Sequence, residues 1–259
     1  MKKLLLILFI LPCLLFGQTA EDYYEKALYS SDYQFQIDNL TEAIKINPDF
    51  ADAYYFRGLA KNMLGKHIEA IEDFTVVIKI KPDFSDAYYN RGLARNMSGK
   101  HIEAIEDFTV LIKINPAFAK AYNYRGIAKN VLGKHIEAIE DFTLAIKINP
   151  DFADGYLNRG IAKNVLGKHI EAIEDFTVAI KINPDFADGY LSRGMVKNML
   201  GKYIEAIEDF TVAIKIKPDY AEAYDNRGIA KYYLKFNYCS DLKIACDLGL
   251  CDTYNELCQ

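Results

Sequence analysis

Residues 153–186 read ADGYLNRGIAKNVLGKHIEAIEDFTVAIKINPDF, and nearly the same 34 residues recur on both sides of this stretch. The prolines and histidines keep this spacing: apart from Pro12, every proline lies at an interval of 34 residues, and so do all four histidines. A fixed period of this length indicates an array of structural repeats. The fold is therefore set by one unit and by the packing between successive units.

Within the unit, apolar and small residues recur at steps of three and four, first over residues 156–166 and again over residues 170–182. This spacing predicts two amphipathic helices. Gly167 lies between them and can adopt the left-handed conformation that ends a helix. Asn183 precedes Pro184, which disfavours helical backbone at the asparagine. Each unit is therefore predicted to be an antiparallel helical hairpin.

A glycine interrupts the first helix of the unit at Gly160, and an interior glycine costs roughly 0.5–1 kcal/mol relative to alanine. Because six units carry a glycine at this place, a packing gain must offset the cost. We expect Gly160 to face the small Ala172 of the second helix, with Phe176 filling the space beside the pair. One hairpin cannot bury all its apolar faces, so the units are expected to stack.

Six residues of the unit match a known repeat pattern when Ala153 is counted as position 1: Tyr156, Gly160, Ala172, Phe176, Ala179 and Pro184. In these positions the unit resembles the tetratricopeptide repeat. The pattern recurs in five complete units, at residues 51–84, 85–118, 119–152, 153–186 and 187–220. The resemblance implies an all-α fold, a right-handed superhelical solenoid of stacked antiparallel helix pairs.

Two positions depart from the family pattern. Arg159 stands where leucine is common, and Lys163 stands where tyrosine is common. Both positions stay basic along the array, so they are features of this subtype. We expect Arg159 to pair with Asp175 across the hairpin. The same pairing is expected for Arg57 with Asp73 and for Arg91 with Asp107.

The N-terminal residues 1–17 carry Lys2 and Lys3 followed by an apolar run, a pattern typical of a secretory signal peptide. The apolar run is too short for a membrane span, which takes about 20 residues. We therefore expect an exported protein, periplasmic or secreted, with association to the outer envelope left open. A lipid anchor at Cys13 is the less favoured alternative, because Pro12 stands where a lipobox has a small residue.

Both ends of the array deviate from the repeat. Residues 18–50 form a degenerate first unit, with a first helix expected over residues 20–34 and a second within residues 35–50. Residues 221–259 form a divergent sixth unit and a C-terminal cap, in which Lys235 replaces the turn glycine. Terminal repeats are commonly atypical because one face meets water.

Four of the five cysteines lie in the C-terminal cap, which suggests two disulfides in an exported protein. Cys239 and Cys246 are about 10 Å apart along one helix, too far to bond each other. The nested pairing of Cys246 with Cys251 and Cys239 with Cys258 fits a hairpin that turns at Gly249. Crossed pairing remains an alternative. A zinc site is less favoured because zinc ligands usually come in closer pairs, and a redox role lacks a Cys-x-x-Cys motif.

No pattern of a catalytic or metal site is present in the sequence. The formal charge of -5 argues against nucleic acid as a partner. Histidines of successive units are separated by at least an interhelical distance of about 8–10 Å, which is too far for a shared metal ion, and we expect them in the turn before the second helix. We therefore expect a protein that is not an enzyme and that needs no cofactor.

Recognition of a protein or peptide is the remaining function class. In the tetratricopeptide family, the variable positions of the first helix line the concave face of the superhelix, where peptides or partner helices bind. An asparagine ladder on this face would suit an extended backbone, whereas the alternative is that these amides only cap the first helix. The second function class is a ligand-binding or enzyme-accessory protein of the envelope, for example one that holds a glycan on Tyr55, Tyr89 and Tyr124. The candidate binding residues are Tyr55, Phe56, Asn62, Tyr89, Asn90, Asn96, Asn123, Tyr124, Asn130, Asn158, Asn164 and Asn198.

Overall fold

The computed structural model describes residues 18–259, which form fifteen α-helices and no β-strand. The all-α prediction is confirmed. In chain order the helices are α1 (Ala20–Leu28), α2 (Tyr33–Ile46), α3 (Ala51–Met63), α4 (His67–Ile80), α5 (Ser85–Met97), α6 (His101–Ile114), α7 (Ala119–Val131), α8 (His135–Ile148), α9 (Ala153–Val165), α10 (His169–Ile182), α11 (Ala187–Met199), α12 (Tyr203–Ile216), α13 (Ala221–Tyr233), α14 (Cys239–Asp247) and α15 (Asp252–Cys258).

Two predictions from the sequence concern residues outside the range 18–259. The signal peptide predicted for residues 1–17 and the lipid anchor considered at Cys13 both precede the described residues. Among the helices of residues 18–259, none is long and apolar enough to cross a membrane.

The described residues divide into two compact units, one ending at Ala87 and the other covering Tyr88–Gln259. In the first unit, α1 packs on α2, α2 on α3, and α3 on α4. In the second unit, each helix from α6 to α15 packs on the next one in sequence. The odd-numbered helices α7, α9, α11 and α13 also contact one another in order, so they lie side by side as one layer of this second unit.

The ends of the helices follow the predicted turn chemistry. Helix α9 stops before Gly167, whose φ of 75° is left-handed. The Lys168 N–H donates to the carbonyl of Lys163 at 2.9 Å, which satisfies a carbonyl at the helix end. Helix α10 ends at Ile182, and the backbone of the following Asn183 is extended with φ -126° and ψ 95°. Both predicted stop signals are confirmed.

The degenerate first unit differs from the prediction in its turn. The first helix ends at Leu28 rather than continuing to residue 34. The Asp32 carboxylate accepts hydrogen bonds from the backbone N–H groups of Gln34 and Phe35, so α2 begins at Tyr33. Aspartate favours this role because its short side chain caps the unpaired N–H groups of the first turn.

The glycine within the first helix is packed against an aromatic ring. A Cβ atom added to Gly160 would lie 2.5 Å from a ring carbon of Phe176, and Phe176 is only 1% exposed. The expected packing of Phe176 beside Gly160 is confirmed, and carbons of its ring are the atoms nearest to the Cβ position of the glycine. The same contact recurs between Gly126 and Phe142.

The C-terminal cap is a short helical hairpin with two disulfides. Helices α14 and α15 are joined by a turn at Gly249, whose φ is 102°. A disulfide joins Cys246 to Cys251 across this turn. A second joins Cys239 to Cys258, with their Cα atoms 5.8 Å apart. The arrangement is nested, and it ties the end of α15 to the start of α14.

Replacing Gly160 with alanine should destabilise the protein by about 1–3 kcal/mol, because the new methyl group overpacks against the Phe176 ring. The midpoint of urea unfolding, followed by circular dichroism, measures the effect. Gly155→Ala in the same helix is the matched control, since a Cβ there would lie 3.1 Å from an Ile146 side-chain carbon. Equal effects of the two substitutions would contradict the assigned contact.

Candidate functional site

A buried carboxylate between two cations holds together each hairpin from α3/α4 to α13/α14. Asp175 is 4% exposed and accepts hydrogen bonds from Arg159, Nη2 to Oδ1 at 2.6 Å and Nε to Oδ2 at 3.0 Å. Lys163 Nζ lies 2.8 Å from Oδ2 of the same carboxylate. The predicted pairing of Arg159 with Asp175 is confirmed, and Lys163 is a second partner that the sequence analysis missed.

We call this arrangement the aspartate clamp, and it recurs along the chain. The other carboxylates with their two cations are Asp73 with Arg57 and Lys61, Asp107 with Arg91 and Arg95, Asp141 with Arg125 and Lys129, Asp209 with Arg193 and Lys197, and Asp241 with Arg227 and Lys231. The two expected pairs in units 51–84 and 85–118 are among them, and both are confirmed.

The arginine of the clamp also reaches the preceding hairpin. Arg159 Nη1 donates to Thr143 Oγ1 at 3.2 Å, and the guanidinium carbon lies 5.5 Å from the centre of the Tyr156 ring. Corresponding arginine–threonine bonds link Arg125 to Thr109 and Arg193 to Thr177. These arginines stabilise the array, and their hydrogen-bonding groups are largely used within it.

An asparagine near the end of the first helix recurs in five units and forms a row that contacts the histidines: Asn62, Asn96, Asn130, Asn164 and Asn198. Asn164 Oδ1 lies 2.7 Å from His169 Nδ1, and because an amide oxygen only accepts, the imidazole Nδ1 carries the proton. The histidine is the first residue of the second helix, not part of the preceding turn as expected. The same contact joins Asn62 to His67, Asn96 to His101, and Asn130 to His135.

Four of the five amide oxygens in this row are thus occupied by imidazole. Two amide nitrogens are also in use, since Asn96 Nδ2 donates to the Tyr124 carbonyl and Asn198 Nδ2 to the Asn226 carbonyl. The contacts favour the interpretation in which most of these asparagines join helices within the array. An extended peptide bound along this row would need the asparagine amide oxygens as acceptors, but the histidines already bond to four of them.

The variable positions in the middle of the first helices meet one another across the joints between hairpins. Asn123 is 3% exposed, and its amide oxygen accepts from Asn158 Nδ2 at 3.1 Å. The side chain of Asn123 is thus mostly buried in a joint between hairpins, and the residue also lines a groove between α7 and α9. Tyr89 and Tyr124 meet edge to face with ring centroids 5.8 Å apart, and burial raises the pKa of Tyr89.

The candidate aromatic residues of the first compact unit are also packed. Tyr55 contacts Phe84 with ring centroids 5.1 Å apart. Phe56 contacts Tyr24 at 5.8 Å. Both side chains are half-buried, as is Asn90 in the second unit. These residues contribute to packing, so their variation does not by itself mark a ligand surface.

An exposed apolar face was missed by the sequence analysis. Near the ends of α7, α9, α11 and α13, Val131, Val165, Met199 and Tyr233 are 60%, 56%, 64% and 59% exposed. Each lies four residues after another apolar residue on the same side of its helix. We call the eight residues the first-helix face: Ile127, Val131, Ile161, Val165, Met195, Met199, Ile229 and Tyr233.

Two grooves run between neighbouring helices of this layer. One, of about 310 Å³, lies between α7 and α9 and includes Tyr124, Ile127 and Leu157. The other, of about 340 Å³, lies between α11 and α13 and includes Met199 and Tyr233. Both volumes are within the range of sites that accept a side chain or small ligand.

The chain's own C-terminal helix covers part of α13. Burial raises the pKa of Asp225, a hydrogen bond from Thr253 opposes this shift, and the nearby Asp252 adds to it. Both neighbours belong to the start of α15. No residue of α15 lines the groove between α11 and α13, so the cap leaves that groove open.

Comparison with known families agrees with this geometry. Models described as tetratricopeptide repeat match residues 51–84 and 119–152, and a model described as TPR repeat matches residues 198–234. The chain contains tetratricopeptide repeats. No curated protein matches the sequence at a significant level.

Solved structures show the same repeat architecture. A tetratricopeptide repeat protein from Parabacteroides merdae is 22% identical, with a TM-score of 0.76 over 92% of this chain and 98% of its own. The MamA protein is 27% identical, with a TM-score of 0.57 over 66% of this chain and 94% of its own. YrrB, titled a TPR protein with an unusual peptide-binding site, is 20% identical, with a TM-score of 0.54 over 71% and 95%.

The first helices of the second unit present apolar surface on which another molecule can pack. Within residues 18–259, no group of three or more histidine, cysteine, aspartate or glutamate side chains is placed to hold a metal ion. The carboxylates of the aspartate clamps are buried between cations. The accessible surface of the helix layer includes exposed apolar side chains and two grooves.

Replacing Asp241 with asparagine should destabilise the protein by about 3 kcal/mol at neutral pH, because Arg227 and Lys231 lose their buried counter-charge. Burial alone would raise the pKa of Asp241, but hydrogen bonds from Arg227 and Lys231 outweigh it and leave the pKa lowered. The carboxylate therefore stabilises the fold above its unfolded pKa of about 3.9, and this contribution is lost as the pH falls through the lower folded pKa.

The stability difference between wild type and Asp241→Asn should accordingly shrink below about pH 4. Urea unfolding at a series of pH values measures it. Asp247→Asn, an exposed position on the same helix, is the control and should change stability little at any pH. A difference that stays constant on acidification would show that Asp241 does not act through its charge.

Proposed function

We propose that this protein is a non-enzymatic scaffold that binds a peptide or partner protein on the first-helix face, outside the cytoplasm. The observation that carries the proposal is the row of large apolar side chains held exposed on ordered helices. Val165 and Met199 are both more than half exposed, and apolar surface arranged in a continuous row is typical of protein interaction sites.

The grooves beside this row support the same proposal. Each groove runs between two adjacent first helices, so side chains of a bound segment could enter between them while its backbone follows the apolar row. The arrangement is that of a helix layer receiving apolar anchors. The named peptide-binding site of YrrB lies on a related fold, which adds support at the level of architecture.

The structural contacts weigh against the glycan alternative. Tyr89 and Tyr124 pack edge to face with each other, and Tyr55 packs against Phe84. Rings that are half-buried among aromatic neighbours offer little open face for a sugar. The exposed residues of the first-helix face are mainly aliphatic, which suits apolar side chains of a partner better than hydroxyl-rich rings.

A location outside the cytoplasm forms part of the proposal. The N-terminal sequence has the pattern of a signal peptide, and the cap holds two disulfides. Disulfides persist in oxidising compartments and are rare in the cytosol. The two observations are independent, since one concerns residues 1–17 and the other the last 21 residues.

A triple variant, Val131→Lys, Val165→Lys and Met199→Lys, should weaken peptide binding about tenfold or more, because each lysine puts a charge into an apolar contact. Peptides are first selected from a random library on the immobilised wild-type protein. Their affinities for wild type and variant are then measured by fluorescence anisotropy. The variant should stay folded because all three positions are well exposed.

The control is Ile136→Lys, Ile170→Lys and Ile204→Lys, which adds the same three charges at exposed isoleucines of α8, α10 and α12. This second variant should bind the selected peptides as wild type does. If the two variants lose binding equally, or neither loses it, the first-helix face is not the binding surface. Alanine at Tyr89 or Tyr124 is a poorer test, because both rings pack in the core of the second unit.

Replacing Cys239 and Cys258 with serine should lower stability by about 3 kcal/mol, because their disulfide closes a loop of 19 residues. Thermal unfolding with and without a reducing agent measures the loss, and the reductant should bring wild type towards the variant. Thiol titration of unreduced protein lacking residues 1–17 should find no free cysteine. Four free thiols would refute both the disulfides and the support they give to export.

A further inference from the structure

The groove between α11 and α13 differs from the corresponding joints because one repeat residue has changed. In four earlier units, a histidine Nδ1 meets the asparagine oxygen at the end of the first helix, as His169 meets Asn164 at 2.7 Å. In the fifth complete unit the histidine is replaced by Tyr203. Its ring stacks on Tyr233, with centroids 4.9 Å apart and planes inclined by 9°.

This replacement leaves a buried acceptor. Asn198 Oδ1 is buried and has no hydrogen-bond donor among residues 18–259. The orientation of the amide is fixed, since its Nδ2 donates to the Asn226 carbonyl at 3.3 Å. A buried acceptor without a donor is costly, so a bound group that supplies one gains more from this contact than from an exposed acceptor.

The lining of the groove determines which donor fits. Asn198 lies among Met195, Met199, Ile229 and the stacked tyrosines, and no lining residue carries a charge. A lysine or arginine of a partner would enter this site without a counter-ion. The fitting group is neutral, has an N–H or O–H donor, and presents a broad apolar surface to methionine and tyrosine.

We propose that this groove is a subsite for one tryptophan side chain of the bound peptide, an inference that rests on the proposed function. The indole is a donor only, which matches a site whose free polar group is an acceptor. Its N–H donates to Asn198 Oδ1 while the ring packs against Met199 and Tyr233. Phenylalanine lacks the donor. The earlier units lack an unpaired acceptor because histidine holds it, so this subsite sets the register of the peptide.

The test uses N-acetyltryptophanamide as the probe. The protein contains no tryptophan, so indole fluorescence excited where tyrosine does not absorb reports the probe alone. Wild type should bind this probe about tenfold more tightly than its 1-methylindole analogue, which keeps the ring but has no N–H. Equal affinity for the two probes, or equal affinity for N-acetylphenylalaninamide in competition, would overturn the proposal.

Two variants at Tyr203 locate the binding. Tyr203→His restores the repeat residue that donates to the asparagine oxygen. The preference for the N–H should then disappear, so that the two probes bind about equally. Tyr203→Phe keeps the stacked ring and leaves the acceptor without a donor, so the preference should persist. Circular dichroism verifies that both are folded. If Tyr203→His retains the preference, the indole does not bind to Asn198.

The subsite and the scaffold proposal fail in distinguishable ways. If the scaffold proposal is wrong, the three lysines on the first-helix face leave library peptides bound as in wild type. If only the subsite is wrong, those lysines abolish peptide binding, yet the selected peptides show no enrichment in tryptophan and bind Tyr203→His as tightly as wild type. Enrichment that disappears with Tyr203→His supports the subsite.

Discussion

The aspartate clamp is the interaction on which the rest of the array depends. A carboxylate such as Asp175 is nearly fully buried, and a buried charge is tolerated only when it is paired and hydrogen-bonded. Arg159 supplies two parallel bonds and Lys163 a third contact from the next turn of the same helix. The geometry of arginine's fork suits this pairing in a way that a second lysine would not.

The clamp also explains why the unit tolerates a polar group at its centre. The two cations come from one helix and the carboxylate from its partner, so the hairpin closes only in one register. The arginine then donates to Thr143 of the preceding hairpin, which connects the internal closure of one unit to its neighbour. Apolar packing of Phe176 against Gly160 supplies the driving force, and the clamp determines how the helices align.

Much of this fold could be predicted from the sequence because the pattern recurs. The 34-residue period predicted the hairpins, and Gly167 and Asn183 predicted the helix ends. The fixed spacing of arginine and aspartate predicted one of the two ion pairs of the clamp. Lys163 was recognised as a departure from the family but not as a partner of Asp175. Spacing placed Ala172 and Phe176 on the face that Gly160 meets, but it did not show that the Phe176 ring would be the nearest neighbour of the glycine.

The proposed binding surface was harder to predict, because helical periodicity does not give the rotation of a helix relative to its neighbours. Asn123 and Met199 both lie off the main buried stripe, yet one is in a joint and the other is exposed. The signal for exposure was an apolar residue at the end of the first helix, repeated as Val165 and Met199. Variation at Asn123 and Asn158 instead reflects contact between successive hairpins, amide with amide.

Near-identity of the units makes each exception physically informative. Where a side chain only packs, replacing it with the residue found at that position in another unit leaves every hydrogen bond in place, so no polar group becomes unpaired. The exchange of histidine for Tyr203 is different, because it removes the donor that satisfies the neighbouring asparagine in four other units and leaves Asn198 Oδ1 unpaired. A ligand can bind to a row of repeated grooves in a single register only if one groove differs from the rest. We propose that the unpaired oxygen of Asn198 is that difference.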